Sequence, residues 1–283
     1  MKIGLALSGG GVLGVAHIGV LRVISRNNIK LDYIAGTSSG AMVGALFVQG
    51  GTELIEKFLD DLDAQGLFNL RKFLLKPDPN KIFNSVADTL RKYLPEKFED
   101  LRTGFCCVAT DFSKGEPVIL DSGDLISAIL ASSAYPGVFA AQEVHGKSFI
   151  DGGISLNLPA SVLQDKGLDF IIGSSLYNVS EMEKYGQEGV SPNRIVSAKR
   201  ALDIMQKTLA SVEVKKCDYC FTPPVGTFNW YNFDRINELH EIGDDYAKRH
   251  CDEFLSVLKS KLEGDIEINY NKTDGGTVEK VNT

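Results

Sequence analysis

The chain has 283 residues, of which 43% are hydrophobic and 24% are charged, the balance of a globular protein with a substantial core. A net charge of −7 and the lack of a basic run argue against a nucleic-acid-binding protein. Five cysteines, an odd number, argue against a disulfide framework and favour a reducing compartment. The uncharged stretch 125–142 is too polar for a membrane span. The apolar run at 3–7 could imitate the start of a secretory signal, but it breaks at once into Ser8-Gly9-Gly10-Gly11, so we expect an unprocessed cytoplasmic protein.

Strands and helices are predicted to alternate from the first residues onward. Short apolar runs indicate strands, and apolar residues at helical spacing indicate the helices between them. The predicted elements are a strand at 3–7, a helix from 12 to about 27, a strand at 31–35, a helix to about 49, a helix at 52–63 and a helix at 80–93.

The rest of the chain continues this alternation to about residue 262. The elements are paired strands at 103–109 and 117–120, a helix at 124–132 capped by Ser122, a short strand at 148–150, an amphipathic segment at 160–166, a strand at 168–174, a helix at 194–215, a strand at 217–222 and mainly helix at 236–262. We interpret 177–193 as a mobile loop and 263–283 as a polar, loose tail. Alternating strands and helices predict an α/β fold with a mainly parallel central sheet, in one domain over 1–260.

The five residues Gly36-Thr37-Ser38-Ser39-Gly40 lie between a predicted strand and a predicted helix. A serine at the apex of such a turn is typical of a nucleophile elbow. Gly36 and Gly40 would provide the clearance that the close approach of strand and helix requires, because glycine has no Cβ. The Ser38 hydroxyl would then lie at the positive end of a helix dipole, which stabilises negative charge. A glycine-rich turn without chemistry is the alternative.

The loop after the first predicted strand fits the pattern G-x-G-x-x-G. Together with Asp32 further along, the pattern is formally the fingerprint of a dinucleotide-binding fold. The acid of that fingerprint should close the second strand, whereas Asp32 opens it. We therefore favour an oxyanion hole, in which backbone amides of Gly9, Gly10, Gly11 and Gly14 stabilise a tetrahedral intermediate. Dinucleotide binding and a bare turn are the alternatives.

A serine nucleophile requires a base, because an unactivated hydroxyl is a poor nucleophile at neutral pH. None of the histidines follows a strand in the manner of a triad histidine; they are His17, His145, His240 and His250. Asp151 is the better candidate, since it ends a short strand and precedes Gly152 and Gly153, which would let a second backbone approach closely. A Ser–His–Asp triad and an Asp-Gly-Gly turn without a catalytic role are the alternatives.

Five blocks of the chain occur in a recognisable order. They are Gly9-Gly10-Gly11 with Gly14 and 16–21, then Gly36–Gly40, Val108–Asp111, Ala131–Phe139, and Asp151-Gly152-Gly153 with Asn157-Leu158-Pro159. Together these blocks resemble the bacterial patatin-like phospholipases, a family of lipid acyl hydrolases with a serine–aspartate dyad. The resemblance is strongest over residues 1 to about 175, with the motif-bearing core at about 3–175, and it is weaker to about residue 250. At one position the chain departs from the family, which usually has a basic residue where Leu13 stands.

The resemblance implies a three-layer fold and a serine acyl hydrolase that cleaves fatty-acyl esters of phospholipids, lysophospholipids or related lipids. Asp151 would take the proton of Ser38 as the serine oxygen attacks the ester carbonyl, while amides of Gly10 and Gly11 hold the oxyanion. Water activated by Asp151 would then hydrolyse the acyl-enzyme, with no metal or cofactor. Leu13 keeps open a second hypothesis, a catalytically weak member that binds lipid or a protein partner.

Three further features receive structural interpretations. Cys217 and Cys220 form a C-x-x-C, but no second pair accompanies them for a zinc site. Asp111 is expected to fix a turn near the site rather than to act in catalysis. The segment 67–76 is interpreted as a cap over the site; the alternative is a peripheral contact with a membrane surface, apolar side toward the lipid.

Overall fold

The structure of the chain, a computed structural model, describes residues 1–66, 79–177 and 194–273. The predicted cap at 67–76, the predicted loop from 178 to 193 and the end of the tail, 274–283, lie outside the described residues. The described residues form one sheet with helices on both faces, which confirms the predicted α/β fold.

The sheet contains eight strands within the described residues. They are β1 (Ile3–Leu7), β2 (Tyr33–Thr37), β3 (Gly104–Asp111), β4 (Pro117–Leu120), β5 (Gln142–Val144), β6 (Lys147–Asp151), β7 (Phe170–Ser174) and β8 (Tyr219–Phe221). Their order is β5-β6-β3-β2-β1-β7-β8, and β4 pairs with β3 outside this path. The run β3-β2-β1-β7-β8 is parallel, whereas β4, β5 and β6 pair antiparallel. The predicted parallel centre is thus confirmed, and its strands share a carboxyl edge, where sites form in such sheets.

Helices cover both faces of the sheet. In the described ranges they are α1 (His17–Arg26), α2 (Ser39–Ala64), α3 (Pro79–Tyr93), α4 (Leu125–Ser132), α5 (Ala160–Asp165), α6 (Arg194–Val214), α7 (Ile236–Arg249) and α8 (Cys251–Thr273). Leu5 and Leu7 of β1 pack in one core with Ile18 of α1, while Ala6 between them packs in a second core with Leu163 of α5. This alternation along β1 gives an apolar core on each face and confirms the three layers. None of the described helices combines the length and apolar character needed to cross a membrane.

Helix α2 consists of two helical pieces joined at two glycines. Gly50 has φ −155° and ψ 21°, and Gly51 has φ 71° and ψ −165°, so neither residue is helical. The conformation of Gly51 is one that residues with a Cβ rarely adopt. The predicted separation of the elbow helix from the helix that follows it is therefore confirmed.

Two short features differ from the sequence prediction. The N-cap of α4 is Asp124 rather than Ser122, because the Asp124 carboxylate accepts the N–H of Ser127 at 2.8 Å. Strand β5 was not predicted: it is only three residues long, and hydrogen bonds to β6 rather than an apolar run define it.

The carboxyl-terminal helices also differ from the prediction. The segment 236–262, predicted as mainly helix, is helical in two pieces that meet at His250. Helix α8 then continues to Thr273, so a loose chain is the wrong prediction for 263–273. A helix satisfies its own backbone hydrogen bonds, and the ion pair Lys259–Glu263 adds a contact between side chains one turn apart. The boundary of the domain near residue 260 stays a prediction.

Helices α1 and α7 cross where two glycines face each other. A Cβ on Gly19 would overlap the carbonyl of Gly243, and a Cβ on Gly243 would overlap the backbone of Ala16. Arg22 of α1 also bonds to Asp244 of α7 over 2.6 Å beside this crossing. The helices can therefore pack at backbone contact only while both positions lack a side chain.

Gly19→Ala should lower the free energy of unfolding by about 1–3 kcal/mol, because the added methyl group forces the two helices apart. Gly264→Ala is the matched control, since Gly264 is an exposed glycine in α8 with no atom near its Cβ position. That change should raise stability by up to about 1 kcal/mol, the helix propensity gained. Urea denaturation of both variants measures the difference, and equal stabilities would contradict the tight crossing.

Candidate active site

Ser38 occupies a strained turn between β2 and α2. Its φ of 54° and ψ of −121° lie in a region that costs a residue other than glycine about 1–3 kcal/mol. A Cβ on Gly36 would lie 2.5 Å from the carbonyl oxygen of Gly40, and a Cβ on Gly40 would overlap the carbonyl of Leu7. Both glycines thus provide the clearance expected of an elbow, and the turn leaves the Ser38 side chain at the start of α2.

Ser132 of α4 fixes the backbone of Ser38. The Ser38 N–H donates to Ser132 Oγ over 2.8 Å, and that hydroxyl donates to the carbonyl of Val108 over 2.6 Å. Ser132 is fully buried, so both bonds are shielded from water. Sequence reasoning missed this residue, whose one signal is its place in the block 131–139. Because the Ser38 amide is already bonded, donors to an oxyanion must come from elsewhere.

Asp151 meets Ser38 from the end of β6. Ser38 Oγ donates to Asp151 Oδ2 over 2.7 Å, and the N–H of Gly153 donates to Oδ1 over 2.7 Å. A Cβ on Gly152 would overlap the carbonyl of Val108, so only glycine lets this turn approach β3 so closely. The predicted nucleophile and base therefore lie in direct contact.

Burial sets the protonation behaviour of Asp151. The carboxyl group is almost fully buried, and loss of solvent raises its pKa from 3.8 to about 6. The hydrogen bonds from Ser38 and Gly153 act in the opposite direction, since they favour the ionised form. The group is thus ionised near neutral pH while retaining the affinity for a proton that a general base requires.

The four glycines of the loop after β1 have different environments. The Gly9 N–H donates to the carbonyl of Asn157 over 3.2 Å, so it is not available to an oxyanion. No described residue accepts a hydrogen bond from the amides of Gly10 and Gly11, which line a cavity beside Ser38. A Cβ on Gly14 would lie 2.7 Å from the hydroxyl of Ser39. The predicted donors therefore narrow to Gly10 and Gly11, with Gly9 and Gly14 providing space.

His17 hydrogen-bonds to the backbone that leads into the same loop. Its Nε2–H donates to the carbonyl of Ser8 over 2.9 Å, and Nδ1 accepts the hydroxyl of Ser174 over 2.7 Å. Complete burial lowers the pKa of His17 to about 4, although the bond to Ser8 favours the charged form. A neutral imidazole in this position holds the backbone that leads into Gly9, and its two ring nitrogens bond to Ser8 and Ser174 rather than to Ser38.

The cavity beside the dyad has a volume of about 190 Å³. The residues predicted to act together on a substrate, Gly9–Gly11, Gly14, Ser38 and Asp151, all lie on its lining, and none of the four histidines does. The rest of the wall is mainly apolar. Most of it comes from α2 and α3, through Met42, Val43, Ile55, Phe58, Leu59, Leu62, Ile82, Phe83 and Val86. A polar end and a hydrocarbon wall suit an ester with a long acyl chain.

Asp32 and Leu13, on which the alternative functions depend, make structural contacts away from the cavity. The carboxylate of Asp32 accepts the N–H of Ile3 over 2.8 Å and so helps to join β1 to β2. Leu13, which stands where the family usually has a basic residue, is buried in an apolar cluster with Val12 and Phe228. Neither Asp32 nor Leu13 lies on the cavity lining.

The remaining candidates occupy structural positions. The carboxylate of Asp111 accepts the N–H groups of Ser113 and Lys114, which confirms the predicted turn. Cys217 and Cys220 both lie against Gly173 of β7. Within the described ranges, no group of three or more metal-ligating side chains comes together.

The buried His17 should make stability fall in acid. Between its ordinary pKa of 6.5 and its lowered pKa of about 4, the unfolded chain takes up a proton that the folded chain does not. By linkage this removes about 3 kcal/mol of unfolding free energy as the pH falls through that window. Denaturant titrations from pH 7 to pH 4 should show this loss in the wild type relative to His17→Gln, which cannot titrate. A difference that does not vary with pH would contradict a buried neutral imidazole.

Residues 5–163 match the family model described as patatin-like phospholipase. A patatin-like phospholipase domain-containing protein of Caenorhabditis elegans is 28% identical over 293 aligned positions, which cover 93% of this chain and 21% of that protein. An uncharacterized NTE family protein of Mycobacterium tuberculosis is 33% identical over 183 positions, covering 62% of this chain and 49% of that protein. The chain thus spans between about a fifth and a half of the length of these relatives.

A solved structure shares the fold. VipD from Legionella pneumophila superposes with a TM-score of 0.50 at 15% identity, covering 89% of this chain and 67% of that chain. Because the relatives come from an animal and a bacterium, a specifically bacterial kinship stays a prediction. The family model covers more than half of the chain, including the elbow, the glycine loop and Asp151. The chain belongs to the patatin-like phospholipase family.

Proposed function

We propose that the chain hydrolyses fatty-acyl esters of phospholipids, lysophospholipids or related lipids, with Ser38 as nucleophile and Asp151 as base. The observation that carries this proposal is the 2.7 Å hydrogen bond from Ser38 Oγ to Asp151 Oδ2 beside an apolar cavity. Membership of a family described as phospholipases supports the reaction class.

Acylation begins when Ser38 Oγ attacks the ester carbonyl carbon and its proton passes to Asp151. The carbonyl oxygen becomes an oxyanion, which the free amides of Gly10 and Gly11 would stabilise. The amino end of α2 lies behind Ser38, and its dipole also favours negative charge there. Collapse of the tetrahedral intermediate breaks the bond to the alcohol, which leaves with the proton from Asp151.

Deacylation repeats these steps with water. Asp151, ionised again, takes a proton from water as its oxygen attacks the acyl carbon of the Ser38 ester. The second tetrahedral intermediate releases the fatty acid, and the proton returns from Asp151 to Ser38 Oγ. The burial that raises the pKa of Asp151 supports both steps, because the carboxylate must hold a proton briefly and then release it.

The apolar wall would select for a hydrocarbon chain. Each CH₂ group transferred from water into such a cavity contributes about 0.8 kcal/mol to binding. Most of the wall residues come from α2 and α3, and the segment 67–78 between these helices lies outside the described residues. A peripheral contact of that segment with a membrane stays a prediction.

Ser38→Ala and Asp151→Asn should each abolish hydrolysis of p-nitrophenyl butyrate while the thermal midpoint changes little. Alanine lacks the nucleophile, and the amide of asparagine is almost the same size as the carboxylate but cannot accept the serine proton. We expect turnover to fall by a factor on the order of 10³ or more in both variants, the scale of losing a catalytic group.

The Asp151→Asn variant separates two roles of the Asp-Gly-Gly turn. If Asp151 only shaped the turn, asparagine would replace it well, because both residues favour such positions. A folded and active Asp151→Asn enzyme would therefore contradict the proposed role of Asp151 as the base. Labelling of the wild type, but not of Ser38→Ala, with a fluorophosphonate probe provides the control for the nucleophile.

The activity should also fall in acid. Asp151 accepts a proton only when ionised, so kcat/KM should decline below the pKa of about 6, roughly tenfold per pH unit. Stability has the opposite dependence on this group, since a raised carboxyl pKa favours the folded state at low pH and this contribution is lost as the pH rises through about 6. Measurements of kcat/KM between pH 5 and 8 test this decline. A value that stays constant down to pH 5 would contradict Asp151 as the base.

A further inference from the structure

Asn157 is a fully buried amide that has no hydrogen-bond partner for its side chain. Its exposure is 0%, and neither Oδ1 nor Nδ2 bonds to another described residue. Buried polar side chains in folded proteins are almost always hydrogen-bonded, because an unpaired one lowers stability. An unpaired amide that lines the cavity of the dyad therefore points to a partner supplied by the substrate.

The amide nitrogen of Asn157 adjoins both parts of the dyad. The point at which Gly9 would carry a Cβ is 3.3 Å from Asn157 Nδ2 and 3.0 Å from Ser38 Cβ. The corresponding point at Gly153 is 2.8 Å from the same nitrogen and 3.0 Å from Asp151 Oδ1. The nitrogen thus lies between the glycine loop and the Asp-Gly-Gly turn, near the nucleophile and the base.

The backbone around Asn157 is fixed to both sides of the site. Its carbonyl accepts the Gly9 N–H over 3.2 Å, which ties it to the glycine loop. The preceding carbonyl, that of Leu156, accepts the hydroxyl of Thr37 over 3.0 Å, which ties it to the elbow. An oxyanion donor is effective only when the protein holds it in place before the reaction, and these bonds provide that restraint.

Other side chains on the lining also carry a buried polar atom without a partner among the described residues. They are Ser39, Ser133, Tyr135 and Trp230. The position of the Asn157 nitrogen favours it as a donor, since it lies 3.3 Å from the Cβ point of Gly9 and 2.8 Å from that of Gly153, beside both Ser38 and Asp151. The Ser39 hydroxyl, by contrast, lies over Gly14.

We propose that Asn157 Nδ2–H donates to the oxyanion and completes a hole of three donors with the amides of Gly10 and Gly11. This inference rests on the hydrolase activity proposed above. As Ser38 Oγ bonds to the carbonyl carbon, the electron pair of the C=O bond moves onto oxygen and the serine proton passes to Asp151. Asn157 stabilises that oxygen through a hydrogen bond and transfers no proton.

Asn157→Leu and Asn157→Asp test the proposal on the full chain. Leucine is similar in size and removes the donor. Aspartate keeps the shape but replaces the amide by a carboxyl group, which repels both Asp151 and an oxyanion when it is ionised. With p-nitrophenyl butyrate we expect kcat to fall by about 10²–10³ and KM to change much less, since the bond strengthens in the transition state. Affinity for an alkyl trifluoromethyl ketone, whose serine adduct carries an oxyanion, should fall by a comparable factor.

Thermal midpoints separate catalysis from a structural role. Leucine removes an unpaired buried amide, so the midpoint of Asn157→Leu should be unchanged or higher than that of the wild type. If Asn157 instead binds a structural water, the midpoint should fall and the loss of activity should follow the folded fraction. That result, failure of both variants to fold, or turnover within about threefold of the wild type would each overturn the proposal.

The Ser38→Ala variant keeps this test distinct from that of the proposed function. If Ser38→Ala is inactive and Asn157→Leu is fully active, the results contradict only the role of Asn157 as third donor. An active Ser38→Ala enzyme would remove the hydrolase mechanism itself, and with it the oxyanion that Asn157 is proposed to bind.

Discussion

The pairing of β3 with a different strand on each side is the constraint on which the site depends. Val108 pairs with Thr37 of β2, and the next residue, Ala109, pairs with Asp151 of β6. Ser38, which follows Thr37, and Asp151 are 113 positions apart in the chain, yet these two pairings bring their side chains together in a hydrogen bond of 2.7 Å. The carbonyl of Val108 also accepts the Ser132 hydroxyl, so the bond that holds the elbow originates on the same strand.

Desolvation distinguishes the two buried titratable groups near the glycine loop. It raises the pKa of Asp151 to about 6 and lowers that of His17 to about 4, because burial opposes charge of either sign. The shift leaves Asp151 able to exchange a proton near neutral pH, as the proposed base must. It leaves His17 neutral over the same range, so that it can donate to Ser8 without introducing a positive charge beneath the loop.

The parts of the site that depend on local backbone geometry could be predicted from the sequence. The elbow and the Asp-Gly-Gly turn are examples, because glycine clearance within a few residues defines each of them. Ser132 could not be predicted, since its contact with Ser38 joins residues 94 positions apart and comes from sheet and helix packing.

The glycines of the loop after β1 and the carboxyl-terminal helix also depend on structural context that the sequence alone does not predict. Four glycines in one pattern look equivalent, yet the contact of Gly9 with Asn157 makes its amide different from those of Gly10 and Gly11. The helix that continues to Thr273 was missed because a polar composition does not by itself distinguish a solvated helix from a loose chain. The fold class, which rests on the alternation of many elements, was predicted more securely than these single contacts.

The break in α2 separates the piece of the helix that begins after Ser38 from most of the α2 residues in the cavity wall. The first piece of the helix starts next to Ser38, the proposed nucleophile, and the second piece, beyond Gly51, contributes Ile55, Phe58 and Leu62 to the cavity wall. A continuous helix would couple the two, since any shift of the wall would turn the axis on which Ser38 is mounted. With a glycine joint between them, replacements in the second piece can reshape the wall while the elbow keeps its geometry. If the proposed function holds, replacements beyond Gly51 would change the acyl preference of the hydrolase separately from its reaction.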